Sequence, residues 1–141
     1  MIFTSYFAKI KKFPENVIPI AICAKVPDWY NGIRYPKLAP KYDILMKYKD
    51  DHNAADYTEC FNNTALGILD PVLVLADFQM LLDIMYGINL LNEKEPVLHN
   101  NPDIHVALVC YEKPSEFCHR HLVAEWLRSY GVECKEWEDQ T

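Results

Sequence analysis

The order of apolar and periodic segments predicts an α/β protein built on a mainly parallel sheet of about four strands, flanked by helices. Three observations carry that expectation. Val17 to Ala24 and Ile104 to Val109 are continuous apolar runs, the pattern of strands buried on both faces. Helical segments follow them, at 41–86 and again where Leu122, Val123, Trp126, Leu127 and Tyr130 recur at helical spacing. No internal repeat or low-complexity tract breaks the alternation. The order strand, strand, helices, strand, helix, strand fits crossover connections onto one sheet.

Each element follows from its residues. Ile2 to Tyr6 is a short β-rich run, and Val17 to Ala24 a buried strand whose start is weakened by Pro19, which lacks a ladder donor. Lys25 to Pro40 reads as a long loop punctuated by Pro27, Gly32, Pro36 and Pro40. Its Trp29, Tyr30 and Tyr35 favour a packed, functional loop over a disordered one. Lys41 to Lys49 and Ala54 to Ile68 have helical spacing. Asp70-Pro71 looks like an N-cap followed by proline at the first helical position. The helix it opens, Pro71 to Tyr86, is almost wholly apolar, which predicts deep packing and an end near Gly87. Glu93 to Asp103 is a polar connection with Pro96 and Pro102. Ile104 to Cys110 is the best strand, the helix after it stops at Tyr130-Gly131, and Val132 to Trp137 fits a final edge strand. The whole is a Rossmann-like arrangement, expected to form one domain over residues 1–141.

Composition narrows the classes. At 141 residues the chain can bury a core without disulfide staples. Half of its residues are hydrophobic, yet no apolar run approaches the roughly 20 residues that span a bilayer. Met1 to Phe7 lacks a basic region followed by a long apolar stretch, so no signal peptide and no membrane partner are expected. A cytoplasmic protein is expected, with its five scattered cysteines as reduced thiols. The net charge of -6 gives no general attraction to nucleic acid. Lys9-Ile10-Lys11-Lys12 and the Lys37, Lys41, Lys47, Lys49 stretch are the only basic patches, and they read as solvated surface lysines.

Chemistry concentrates in Cys110 to Arg120, where a strand hands over to a helix. Such a loop lies at the C-terminal edge of the sheet, where open α/β sheets bind ligands, and beside helix amides that attract anions. Cys118 is placed in the first helical turn, where amide dipoles and neighbouring His119 and Arg120 favour a thiolate. Cys110, at the strand end, can face the same crevice. Arg120 could clamp a phosphate or carboxylate, and Glu112 could act as general acid or base or hold Arg120 in place. A structural alternative is two buried cysteines beside a Glu112–Arg120 ion pair.

Two specific chemistries fit less well. Cys110, Cys118 and His119 could ligate a metal, with His99, His105, His121 or Cys134 as a fourth ligand. Structural zinc sites typically pair ligands two to four residues apart. Adjacent Cys118 and His119 are expected to point in different directions, so no metal is expected, and His121 stays a secondary candidate. Nine residues separate Cys110 from Arg120, too many for the short phosphate-cradling loop of a cysteine phosphatase, and the loop has no glycine.

The segment Val106 to Pro114, with Cys110-Tyr111-Glu112, and the segment Phe117-Cys118-His119-Arg120-His121-Leu122-Val123-Ala124 resemble the signature of the bacterial and phage family catalogued as domain of unknown function 488. Thr4-Ser5-Tyr6, Pro27-x-Trp29-Tyr30-x-Gly32, Leu38-Ala39-Pro40 and Glu136-Trp137 extend the resemblance over essentially the whole chain. It implies a compact α/β domain and carries no established reaction.

Topology supplies the opposite wall of the site: Ser5, Tyr6, Lys25, Trp29 and Tyr30 should approach Cys110 and Cys118 at the same sheet edge. Trp29, Tyr30 and Tyr35 could stack on a base or plug the loop hydrophobically. The leading expectation is an enzyme acting on a nucleotide or nucleic-acid component. Cys118 or Cys110 would be its nucleophile or redox group, Glu112 the acid or base, and His119 an orienting residue or proton carrier. The alternatives are a non-catalytic module for a small anionic or nucleotide-like ligand, and a phage-encoded protein-interaction domain. No cofactor and no oligomeric state follow from these residues.

Overall fold

A computed structural model describes residues 1–92 and 104–139, residues 86–92 by backbone alone. The connection expected over Glu93–Asp103, with His99, lies outside the described residues. Among the described residues five strands form one all-parallel sheet: β1 (Ile2–Tyr6), β2 (Val17–Ala21), β3 (Ile33–Arg34), β4 (His105–Cys110) and β5 (Cys134–Glu136), in the order β3-β2-β4-β1-β5. The helices are α1 (Tyr42–Asp51), α2 (Ala54–Thr64), α3 (Pro71–Asn92) and α4 (His119–Ser129). The α/β class and the parallel sheet flanked by helices are as expected, with one strand more.

That extra strand, β3, lies inside the segment expected to be loop. Its two residues pair with Ile20 and Ala21 at the edge of β2. The same edge explains Pro19. The Ala21 carbonyl accepts the Tyr35 N–H (2.7 Å) and the Pro19 carbonyl accepts the Tyr30 hydroxyl (3.4 Å), so the backbone groups of both residues point away from β4, toward the β3 side. Because β3 begins only opposite Ile20, the missing proline N–H removes no ladder bond.

The expected second helix ends at Thr64, and a 3-10 turn, Leu66–Ile68, completes it. Asn53 caps α2, its side chain accepting the Asp56 N–H (3.0 Å). Asp70 accepts the Val72 N–H (2.9 Å), with Pro71 in the first position of α3 as expected. Two expectations for α3 are corrected. It continues past Gly87 to Asn92, a glycine in a helix interior costing only about 1 kcal/mol. It is also not deeply packed: Val74, Phe78 and Leu82, spaced by four, are buried, whereas Val72 is 70% and Leu73 63% exposed. Uniform apolarity hid a one-sided stripe. Among the described residues no single helix is long and apolar enough to cross a membrane.

Two apolar clusters sandwich the sheet. The larger joins Ile20, Ile22, Val106 and Leu108 to buried residues of all four α-helices. The smaller joins Val17, Ala21, Ala107 and Val109 to Phe7, Tyr30, Cys110 and Cys118. Burying each large aliphatic side chain in these layers contributes about 1.5–3 kcal/mol. Neighbouring β1 and β4 leave the sheet on opposite faces. A 3-10 turn, Phe7–Lys12, carries β1 away through the smaller cluster, and α4 carries β4 away through the larger. Their ends, Tyr6 and Cys110, are in register. Such a divergence at the C-terminal strand edge is the place where open α/β sheets bind ligands.

Candidate functional site

Cys110, Cys118, His119 and Arg120 meet at that strand edge, all four buried. Cys110 is the last residue of β4, and the chain returns eight residues later at Cys118, the N-cap of α4. Phe117 anchors the return, packing its ring against Tyr48 (5.0 Å between centroids) and Tyr57 (5.1 Å) of α1 and α2. Cys110 and Cys118 are joined by a disulfide, with Cα atoms 7.8 Å apart, which corrects the expectation of reduced thiols at these two positions. Both cysteines are buried.

Cys118 does not occupy the first helical turn. As N-cap it is extended (φ -155°, ψ 144°), and this breaks the divergence expected of two adjacent side chains. Its Sγ lies 3.8 Å from His119 Nδ1. On the other side of the ring, Nε2 is 2.7 Å from the Ile22 carbonyl. A carbonyl only accepts, so Nε2 carries the proton and Nδ1 presents its lone pair to the sulfurs. Burial, reinforced by the Arg120 charge, pushes the His119 pKa down from 6.5 to about 4.

This shift predicts an acid sensitivity. The unfolded imidazole takes a proton near pH 6.5 that the folded one refuses until about pH 4. The contribution is therefore complete above pH 6.5 and is lost as pH falls toward 4, by on the order of 3 kcal/mol. Urea unfolding at pH 7 and near pH 4 should show the loss, and His119→Gln should abolish that part of it. An unchanged pH slope in the variant would assign the acid sensitivity to other groups.

Arg120 is wholly buried, and its hydrogen bonds go to protein groups. Nε and one terminal nitrogen donate to the two carboxylate oxygens of Glu136, each at 3.1 Å. The other terminal nitrogen donates to the Glu112 carbonyl and to Cys110 Sγ, the latter at 3.1 Å. The guanidinium also sits 5.8 Å over the Tyr6 ring. The expected anion clamp is thus turned inward, and the expected Glu112 partnership runs through the backbone carbonyl rather than the carboxylate. The Glu112 carboxylate is instead close enough to Cys23 and Tyr57 to help raise their pKa values, an effect secondary to burial.

The carboxylate that holds Arg120 comes from β5. Thr4 donates its hydroxyl to the same Glu136 (2.7 Å), tying β1, β5 and α4 together. Sequence reasoning gave neither residue a role. An acidic residue inside a final strand next to Trp137 was the available signal.

The opposite wall is divided. Ser5 is fully buried in register with Val109, and its hydroxyl has no partner among the described residues. Tyr30 is buried, its hydroxyl donating to the Ile33 carbonyl (2.5 Å), so it pins the loop. Lys25 is exposed, and its carbonyl accepts the Cys23 thiol (3.1 Å). Trp29 is 61% exposed and Tyr111 49% exposed, and both pack edge-on against Phe7. His121 keeps Nε2 buried, with no partner among the described residues.

No protein-family model matches the chain, and no curated protein or solved structure matches it. Fold and site together define a class: an all-parallel α/β protein with two cysteines and a histidine converging at the edge where β1 and β4 diverge.

Proposed function

We propose that this chain is an enzyme acting on a nucleotide or nucleic-acid component, with thiolate chemistry at Cys110 and Cys118. The observation that supports it most is the convergence of both sulfurs with His119 Nδ1, beside the exposed rings of Trp29 and Tyr111. Once the disulfide is reduced, thiols next to a cationic guanidinium and a histidine of fixed tautomer form a reactive cluster. Exposed aromatic rings at its edge suit the flat face of a base. Arg120 serves this site from behind, holding Cys110, and Glu112 is the acid or base. We also propose membership of family 488, on the Cys-x-Glu and Cys-His-Arg elements that carry the resemblance.

Adenosine and AMP are suitable first probes, read by tryptophan fluorescence and calorimetry. Trp29→Ala should weaken their binding by about fivefold or more, since stacking contributes about 1–3 kcal/mol per base. Because Trp29 is exposed, the thermal midpoint should hardly move. Cys118→Ser should retain binding but lose turnover of any nucleotide that proves to be a substrate. If neither probe binds wild-type protein, or if both loop thiols resist iodoacetamide in the reduced, chelator-stripped native protein at neutral pH, the reading fails.

A further inference from the structure

We propose that Cys110, Cys118 and His119 form a binding site for a soft divalent cation of the zinc class. The inference rests on reading this cluster as the functional centre, and it names the group that the centre holds. The three ligand atoms, Cys110 Sγ, Cys118 Sγ and His119 Nδ1, all lie within 4.8 Å of one another, and all three residues are buried. Two thiolates and an imidazole are a donor set that selects zinc over hard cations such as magnesium or calcium.

Three features of the surroundings fit an ion. First, His119 presents the correct nitrogen. Its Nε2–H is committed to the Ile22 carbonyl at 2.7 Å, which orients the ring and leaves the Nδ1 lone pair facing the sulfurs. Metal-ligating histidines are held in this way, by a carbonyl or carboxylate on the far nitrogen. Second, the disulfide shows that the fold already delivers both sulfurs to one point beside His119. Reduction of that pair releases two thiolates there for an ion. Third, Arg120 donates to Cys110 Sγ at 3.1 Å and is itself fixed by Glu136. A cation beside a metal-bound thiolate offsets its surplus negative charge, an outer-shell role.

The linear spacing concealed this site. Seven residues lie between the two cysteines, but the strand-loop-helix return brings the strand end back to the helix cap. Three protein ligands leave one coordination position for water or substrate, the pattern of catalytic rather than structural zinc. That position would activate a water or polarise an oxygen of the bound ligand.

The test uses the full chain, reduced and stripped with a chelator, then titrated with cobalt(II) without oxygen. One equivalent should bind with a sulfur-to-cobalt charge-transfer band, and zinc should displace it. Cys110→Ser and Cys118→Ser should each weaken or remove that band. Cys23→Ser and Cys134→Ser should leave it unchanged. His119→Gln should keep a thiolate band and weaken affinity by about tenfold or more. Circular dichroism checks that each variant is folded. Should the cysteine variants unfold, X-ray absorption of the zinc-loaded wild type decides, two sulfur neighbours and one nitrogen being expected.

A folded, reduced wild type without a thiolate band overturns the site, as does a band that survives loss of both cysteines. Formation of a Cys110–Cys118 disulfide in air, with no cobalt uptake after reduction, overturns it as well. Cobalt binding without any nucleotide binding would retain the cation site and defeat the enzyme reading. Nucleotide binding abolished by thiol alkylation, with no cobalt band, would do the reverse.

Discussion

Glu136→Gln should lower the unfolding free energy by about 3–5 kcal/mol, the scale expected when one partner of a buried pair is removed. It should cost more than Arg120→Met, although the two substitutions break the same pair. The asymmetry follows from burial. Arg120 is completely buried, whereas the Glu136 side chain is 24% exposed. Glutamine keeps the volume of Glu136 but leaves Arg120 as a buried cation whose bidentate acceptor has become a half-amide. Arg120→Met strands only a carboxylate that water reaches and that still accepts the Thr4 hydroxyl at 2.7 Å. The double variant Arg120→Met/Glu136→Leu should therefore cost less than the sum of the corresponding single variants, because no orphan charge remains. Urea midpoints of the variants measure this directly. Equal costs for Glu136→Gln and Arg120→Met would show that Arg120 finds other acceptors, the Glu112 carbonyl first among them.

This pair also marks the limit of what the sequence disclosed. β4 and α4 were legible because a buried parallel strand must be apolar throughout and the helix after it is one-sided. Cys110 and Cys118 were legible as candidates because strand end and helix start bracket them. What the chain does between those brackets was not legible. Whether Cys118 is a cap or a first-turn residue changes the direction of its side chain, and only the extended backbone at 118 lets it meet the His119 ring. Likewise the partner of Arg120 was not legible, since parallel order and not sequence distance delivers Glu136 from β5 beside β1. The two residues of β3 carry no alternation at all, and the edge of β2 makes them a strand. Trp29 and Tyr30 are adjacent and chemically alike, yet packing against Ala21, Val109 and Phe7 buries the second and leaves the first exposed.

Phe61→Ala should cost about 3–5 kcal/mol and should alter the site from behind. Phe61 is fully buried, stacked on Tyr57 (6.0 Å between centroids, 24° between planes) and edge-on to His119 (5.7 Å). Truncation leaves a cavity bordered by the imidazole. Part of the cost is lost transfer energy and part is the void, which the helical scaffold can only partly close. Phe61→Leu, closer in volume, should cost markedly less. The positional effect separates this residue from any other core phenylalanine. Burial is the main cause of the depressed His119 pKa, so room for water beside the ring should let that pKa rise toward 6.5. The acid-dependent loss of stability between pH 6.5 and 4 should then shrink in Phe61→Ala although His119 is intact. NMR titration of the His119 ring tests it. A pKa that stays near 4 in a destabilised Phe61→Ala protein would mean that Phe61 fills the core without governing the histidine, leaving burial by its other neighbours and the Arg120 charge to hold it down.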